Sequence, residues 1–198
     1  MIEFKGDRRV FLGLALAALL PAAPAGAATV DAYISGAAGD FMKLARSGAG
    51  KAAMRTKFTG LLGRYVDARG ISLLSLGSYQ KQLTPDLRDQ FLKLSIAYIS
   101  AFFVYYADEF KGNEIRVKST GKQGKFTTVD SEIVFSDGDT KKVKWRLVPA
   151  GGGFRVQDVN VRGVWLSLAL KDRYTDILKR SKGSFDPLFA ELKSAETW

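Results

Sequence analysis

Apolar residues recur three and four apart from Thr29 to about Phe110, and at every second position after Asn113. The first spacing is that of an amphipathic helix and the second that of a strand. "VDAYISGAAGDFMKLARSG" carries Val30, Tyr33, Ile34, Phe41 and Leu44, with Gly48 as a stop, and Gly36 and Gly39 leave open one helix or two. "AAMRTKFTGLLGRYVDARG" repeats the spacing through Met54, Phe58, Leu61, Leu62 and Tyr65 and closes at Gly70. "ISLLSLGSYQKQL" reads as a short apolar helix containing a glycine. In "TPDLRDQF", Thr84 suits an N-cap, Pro85 the first helical position and Asp86 the positive end of the dipole. A long helix therefore starts there and is predicted to run to about Lys111-Gly112.

The strand-like runs are "EIRVKST", "FTTVDSEIVF", "KKVKWRLV" and "FRVQDVNV", separated by "TGKQGK", "SDGDT" and "PAGGG". In "KVKWRLV", Val143, Trp145 and Leu147 share one face and Lys144 and Arg146 the other, so the sheet has a covered side and a wet side. The apolar phase slips between Val156 and Val159, which a bulge near Gln157-Asp158 would produce. "VWLSLALKDRYTDIL" fits a passage from strand into helix, and "FDPLFAELKS" a last short helix. Helices followed by a meander of about four antiparallel strands predict an α+β fold.

The long helix is unusual. Tyr98, Phe102 and Tyr105 form one stripe and Ile99, Phe103, Tyr106 and Phe110 a second beside it. A helix that is apolar nearly all round is normally buried. Either both stripes pack into protein core, or one of them faces a ligand.

Composition narrows the chemistry. The 198 residues include no cysteine and no histidine, which removes thiol nucleophiles, Cys/His zinc sites and imidazole acid–base catalysis. The start, "MIEFKGDRRVFLGLALAALLPAAPAGA", has a basic beginning, an apolar stretch from Val10 to Leu20 and a small-x-small ending at Ala25-Gly26-Ala27. It reads as a signal peptide cleaved after Ala27, and Arg8-Arg9 before Phe11-Leu12 matches a twin-arginine export signal; the competing reading is a general secretory signal with two basic residues by chance. Residues 28–198 are then expected to form one domain: helices over about 28–112, sheet over about 113–162 and C-terminal helices over about 164–196. Without residues 1–27, 27 basic and 18 acidic residues remain, about +9. For an exported protein that charge points to anionic lipid or acidic protein surfaces and away from nucleic acid.

"LGSYQKQLTPDLRDQFLKLSIAYI" resembles the MlaC or toluene-tolerance (Ttg2-type) family through Leu76-Gly77-x-Tyr79, Thr84-Pro85 and the charged helix ending in Tyr98. Trp145-Arg146 in "VKWRL", and Asp158, Val159 and Gly163-Val164 in "GGFRVQDVNVRGVWL", continue the resemblance in order toward the C-terminus. Members are periplasmic phospholipid carriers of Gram-negative bacteria. The resemblance implies a helical layer over a curved antiparallel sheet, with lipid tails in a cavity between them. It also implies an inner-membrane ABC transporter with an MCE-type lipid-binding ring and an outer-membrane lipoprotein/porin complex as partners. The protein itself would be monomeric, with phospholipid as cargo, no cofactor and no enzymatic activity. Trp165 departs from the serine common after Gly-Val in the family, which implies a reshaped turn beside the ligand.

The expected lipid contacts are Leu76, Tyr79, Tyr98, Phe102, Phe103, Tyr106, Val143, Trp145, Val164, Trp165 and Leu168. Arg146 is a candidate for the headgroup; the competing reading is an ion pair with Asp158 or Glu132 on the outer face of the sheet, since its side chain points opposite to Trp145. Lys141, Lys142, Lys144 and Arg155 suit either partner docking or a solvated strand edge. Each methylene taken from water contributes roughly 0.8 kcal/mol, so a carrier of this kind needs no headgroup clamp to bind tightly. The alternatives are a hopanoid or other polycyclic-lipid carrier, a cargo-free adaptor, and a lipid-modifying enzyme using Ser78 of "SYQK" or a tyrosine. Asp137 and Asp139 in "SDGD" read as hairpin-turn residues. Replacing Arg8 and Arg9 by lysine should block export; normal export of that variant would rule out the twin-arginine route.

Overall fold

A computed structural model describes residues 29–197; the expected signal peptide lies outside the described residues. Six α-helices occur among these residues: α1 (Val30–Ala45), α2 (Lys51–Tyr65), α3 (Ala68–Ser75), α4 (Pro85–Tyr105), α5 (Leu166–Arg180) and α6 (Asp186–Ser194). Five strands, β1 (Glu114–Gln123), β2 (Phe126–Val134), β3 (Thr140–Ala150), β4 (Gly153–Val161) and β5 (Val164–Trp165), pair antiparallel in sequence order. The fold is α+β, a helical layer over an open meander, with a fifth, two-residue strand beyond the expected four.

Local chemistry explains most boundaries. The hydroxyl of Thr84 accepts from Leu87 N, with Pro85 in the first turn, so α4 begins where the sequence predicts. It ends earlier than expected, at Tyr105, and a 3-10 turn (Ala107–Phe110) carries the chain on. Gly77, at φ 57°, separates α3 from a second 3-10 turn (Gly77–Gln82), so the expected apolar helix is split. At positions 36 and 39 the helix runs through unbroken: α1 is one element. β1 and β3 reach further than the alternation suggests, to Gln123 and Ala150, because tight turns join them directly to β2 and β4. The expected bulge is present: Arg146 pairs with Asp158 and Leu147 with Val156, leaving Gln157 as the extra residue. Gly112 marks the crossing from helices to sheet; a Cβ there would lie 2.1 Å from Ile133 Cγ2, so only glycine fits. No helix among the described residues is long and apolar enough to cross a membrane.

Buried apolar residues fall into two clusters. One belongs to the helices and includes Phe58, Leu62, Ile71, Phe91, Leu92, Phe103 and Tyr174. The other joins α1 to the inner face of the sheet through Ile34, Met42, Val129, Val143, Trp145 and Leu147. Val66 and Phe110 touch both.

On the opposite face of the sheet, Asp158 is buried at 3% exposure. Its Oδ1 accepts from the backbone N of Val159 and of Ser167, both at 3.0 Å, and its Oδ2 from the Ser167 hydroxyl. Trp165, the N-cap residue of α5, offers no side-chain hydrogen bond for the cap, so Asp158 of β4, nine positions before Ser167, caps this helix and fixes its start. Replacing Asp158 by Ala leaves buried donors unsatisfied and should cost about 2 kcal/mol. A thermal melt should show a clear drop for Asp158→Ala and a smaller one for Asp158→Asn; unchanged melting for both would deny the cap.

Candidate functional site

A cavity of about 390 Å³ lies where the two apolar clusters fail to meet. From the helices, Ala38, Phe41 and Met42 (α1), Phe58 and Leu62 (α2) and Ile71 (α3) line it. The sheet contributes Ile133, Val143, Trp145, Val156, Val159 and Val161. Leu166, Ala169 and Leu170 of α5 close one side. The Trp145 Nε1–H, the polar atom of the largest sheet side chain, donates to Ser131 Oγ at 2.8 Å, so the wall presents carbon to the cavity.

α4 answers the puzzle of its two stripes in an unexpected way. Tyr98, Ile99, Phe102, Phe103 and Tyr106 all border the cavity, so both stripes contribute. The division runs along the helix: Phe91, Leu92 and Leu94 are ordinary core, and the last turns wall the cavity. Phe103 stacks on Phe58 with centroids 4.0 Å apart and on Phe110 at 5.4 Å. Burial pushes the Tyr98 phenol above its ordinary pKa, so it stays neutral in this apolar setting.

Phe102, Tyr106 and Val164 are exposed at 39%, 42% and 57% while also lining the cavity, which places the mouth between the end of α4 and β5. Two charged residues enter the lining, Glu109 and Arg162. Glu109 Oε2 contacts Lys141 Nζ at 2.7 Å and Arg162 Nη2 at 2.9 Å. The hydrogen bond from Lys141 is the main reason that the Glu109 carboxyl is held below the usual range, with Arg162 adding to it.

The profile of a family described as MlaC protein matches residues 37–194. The chain belongs to the MlaC family. It is 25% identical over 128 residues, 64% of this chain, to the toluene tolerance protein ttg2D of Pseudomonas putida, and the match spans 60% of that relative's length. Its fold is that of the phospholipid-binding protein from Ralstonia solanacearum, solved in complex with a phospholipid: TM-score 0.72, 17% identity, 86% of this chain and 98% of that one covered.

Of the residues singled out in the sequence, Tyr98, Phe102, Phe103, Tyr106, Val143, Trp145 and Val164 reach the cavity. Leu76, fully buried, packs in the helical core, and Tyr79 packs against that core from the 3-10 turn after α3. Leu168 is half-exposed and outside the lining, on the opposite side of α5 from Leu166 and Leu170, two residues away in each direction. Trp165 pairs with Asn160 and turns to the outer face, where its ring covers Arg146 at 3.8 Å, so it does not reshape the cavity wall. Arg146 sits between that ring and Phe126, 3.8 Å from Asp158 Oδ2; of the two readings the structure has the outer-face ion pair and not a cavity position. Ser78 is exposed and outside the cavity. The Asp137 carboxylate accepts from Asp139 N, as a turn residue does. Lys144 pairs with Asp130, and Arg155 donates to the Gly63 carbonyl.

Sequence reasoning missed the contributions of α1 and α2 and the pair Glu109–Arg162. Phe41, Phe58 and Leu62 carry the same signal as any core position of an amphipathic helix. A carboxylate titration by NMR should find the Glu109 midpoint below that of an ordinary glutamate, roughly 4.3. Lys141→Met should raise it more than Arg162→Gln does. Because the folded-state pKa is lowered, the stabilisation from these contacts is present at neutral pH and is lost as pH falls through the depressed midpoint. A Glu109 midpoint at the ordinary value would refute the contact.

Proposed function

We propose that this chain is a periplasmic phospholipid carrier. It holds acyl chains in the cavity between helices and sheet and passes intact lipid between an inner-membrane ABC complex with an MCE-type ring and an outer-membrane lipoprotein/porin complex. The observation that carries the reading is an apolar cavity with an open mouth, unfilled by the protein's own side chains, in a member of the MlaC family. A neighbour of the same fold is a phospholipid-binding protein seen with its phospholipid. Natural binding pockets run to about 300–1,000 Å³ and are mostly apolar with few polar groups, and this cavity lies at the small end of that range.

Residues 1–27 serve as the export signal in this reading, and residues 28–198 as one lipid-binding domain acting as a monomer. Transfer involves no covalent chemistry. The lipid contacts are the seven sequence-selected cavity residues together with Phe41, Phe58, Leu62 and Ile99. Apolar burial drives the binding: with roughly 0.8 kcal/mol per methylene, release into water is slow and a partner must offer a second apolar path. Because the cavity is small, loading a two-chain lipid widens it toward the end of α4, away from the hydrogen bonds that tie Asp67 and Gly63 to β4.

Native mass spectrometry of the mature protein, followed by solvent extraction, tests the reading. One or two intact phospholipids per chain are expected. A polycyclic lipid would shift the cargo class, conversion of a labelled lipid would indicate an enzyme, and a bare mass after incubation with vesicles would exclude a carrier. Ala169→Trp, at an exposed position that also borders the cavity, should abolish lipid uptake while leaving the melting temperature within a few degrees. Unimpaired uptake by that variant would place the lipid elsewhere.

A further inference from the structure

Glu109 and Arg162 stand on opposite lips of the mouth, the first on the 3-10 turn after α4 and the second on the turn between β4 and β5. Lys141, near the start of β3, completes the group. Both cations contact the same oxygen of Glu109, Oε2, so two positive charges share one carboxylate and the group carries +1. Lys141 is held in place, with its ammonium 4.6 Å from the Phe135 ring centre and its side chain 24% exposed. The Arg162 side chain is 66% exposed, at the tip of a turn where Arg162 and Gly163 both have positive φ.

We propose that Arg162 and Lys141 form the receiving site for the phosphodiester of a lipid whose tails occupy the cavity, with Glu109 as the internal anion that the phosphodiester displaces or joins. The inference rests on the carrier reading and adds to it the residues that receive the headgroup. A phosphodiester brings the single negative charge that two cations and one carboxylate lack. Its two free oxygens match the guanidinium fork. The Glu109–Arg162 contact is partly in water and therefore weak, so an arriving anion exchanges with it readily. A neutral diacyl lipid brings ester and hydroxyl oxygens but no charge to replace Glu109 at Arg162, so it gains less at the mouth. Glu109 thus tilts the mouth toward phosphate-bearing lipids over uncharged ones. The same pair strings the end of α4 to the β4–β5 turn, so the group that selects the headgroup also spans the opening through which the tails enter.

The test uses the full mature chain, stripped of lipid and incubated with mixed vesicles of phosphatidylglycerol and diacylglycerol bearing the same acyl chains. The readout is the ratio of the two lipids extracted from the re-isolated protein, corrected for vesicle composition. A single vesicle population gives both lipids the same surface attraction. The wild type should favour phosphatidylglycerol by about fivefold. Arg162→Gln should bring the ratio near one, Arg162→Lys should restore part of it, and Glu109→Gln should raise it above wild type. High salt should lower the wild-type ratio. A wild-type ratio of one, or a ratio that Arg162→Gln leaves unchanged, overturns the proposal and leaves the carrier reading standing. Uptake of neither lipid removes both. Displacement of phosphatidylglycerol by tail-free glycerophosphoglycerol would mean a site for soluble phosphodiesters and would overturn the lipid assignment.

Discussion

The end of α4 is kept from settling onto the sheet by a block of aromatic rings. Phe103 lies face to face on Phe58 and beside Phe110, and Phe41 meets Phe58 and Phe103 at 5.2 and 6.2 Å. Stacked rings are nearly incompressible, and a protein interior otherwise closes to crystal-like density. Smaller residues at 58 and 103 would let the layers approach and merge the two apolar clusters. The spacing of helices and sheet beside these rings, and with it the depth of the cavity, follows from the bulk of these few side chains.

The rest of the frame is built to hold that opening without filling it. β4 and β5 are joined by a short turn, and Asp158 reaches across to cap α5 from the far side of the sheet. Leu166 and Leu170, on the first turns of α5, are thereby aimed at the cavity from one direction while α4 borders it from another. Arg146, held between Phe126 and Trp165, pins the Trp165 ring of β5 over the outer face of the sheet. Charge is kept to the outside and the lip, and carbon to the inside.

Much of this was legible in the chain. The change of period after Asn113 marks the boundary between helices and sheet, the phase slip at Gln157 marks the bulge, and Thr84-Pro85 marks the start of α4. The alternation in "KVKWRLV" assigns Trp145 inward and Arg146 outward, as found. What stayed hidden was non-local. Whether Leu76 or Leu62 meets the cavity depends on how helices cross, and both are equally apolar at helical spacing. Trp165 looks like a cavity residue until its pairing with Asn160 turns it outward. Glu109 and Arg162 are 53 residues apart in a chain rich in charge, and nothing in either segment announces that they meet.

The hydrogen bond from Trp145 to Ser131 has a consequence for whatever the cavity holds. With its indole proton committed to the sheet's own hydroxyl, the largest side chain of the wall has no directional bond to offer an occupant. Along the sheet wall, dispersion contacts of nearly equal strength give the tails of an occupant no preferred rotation. An occupant can therefore slide along the wall without breaking one discrete bond after another. Such a surface has little friction and no ruler, and it treats chains of unequal length or unsaturation alike.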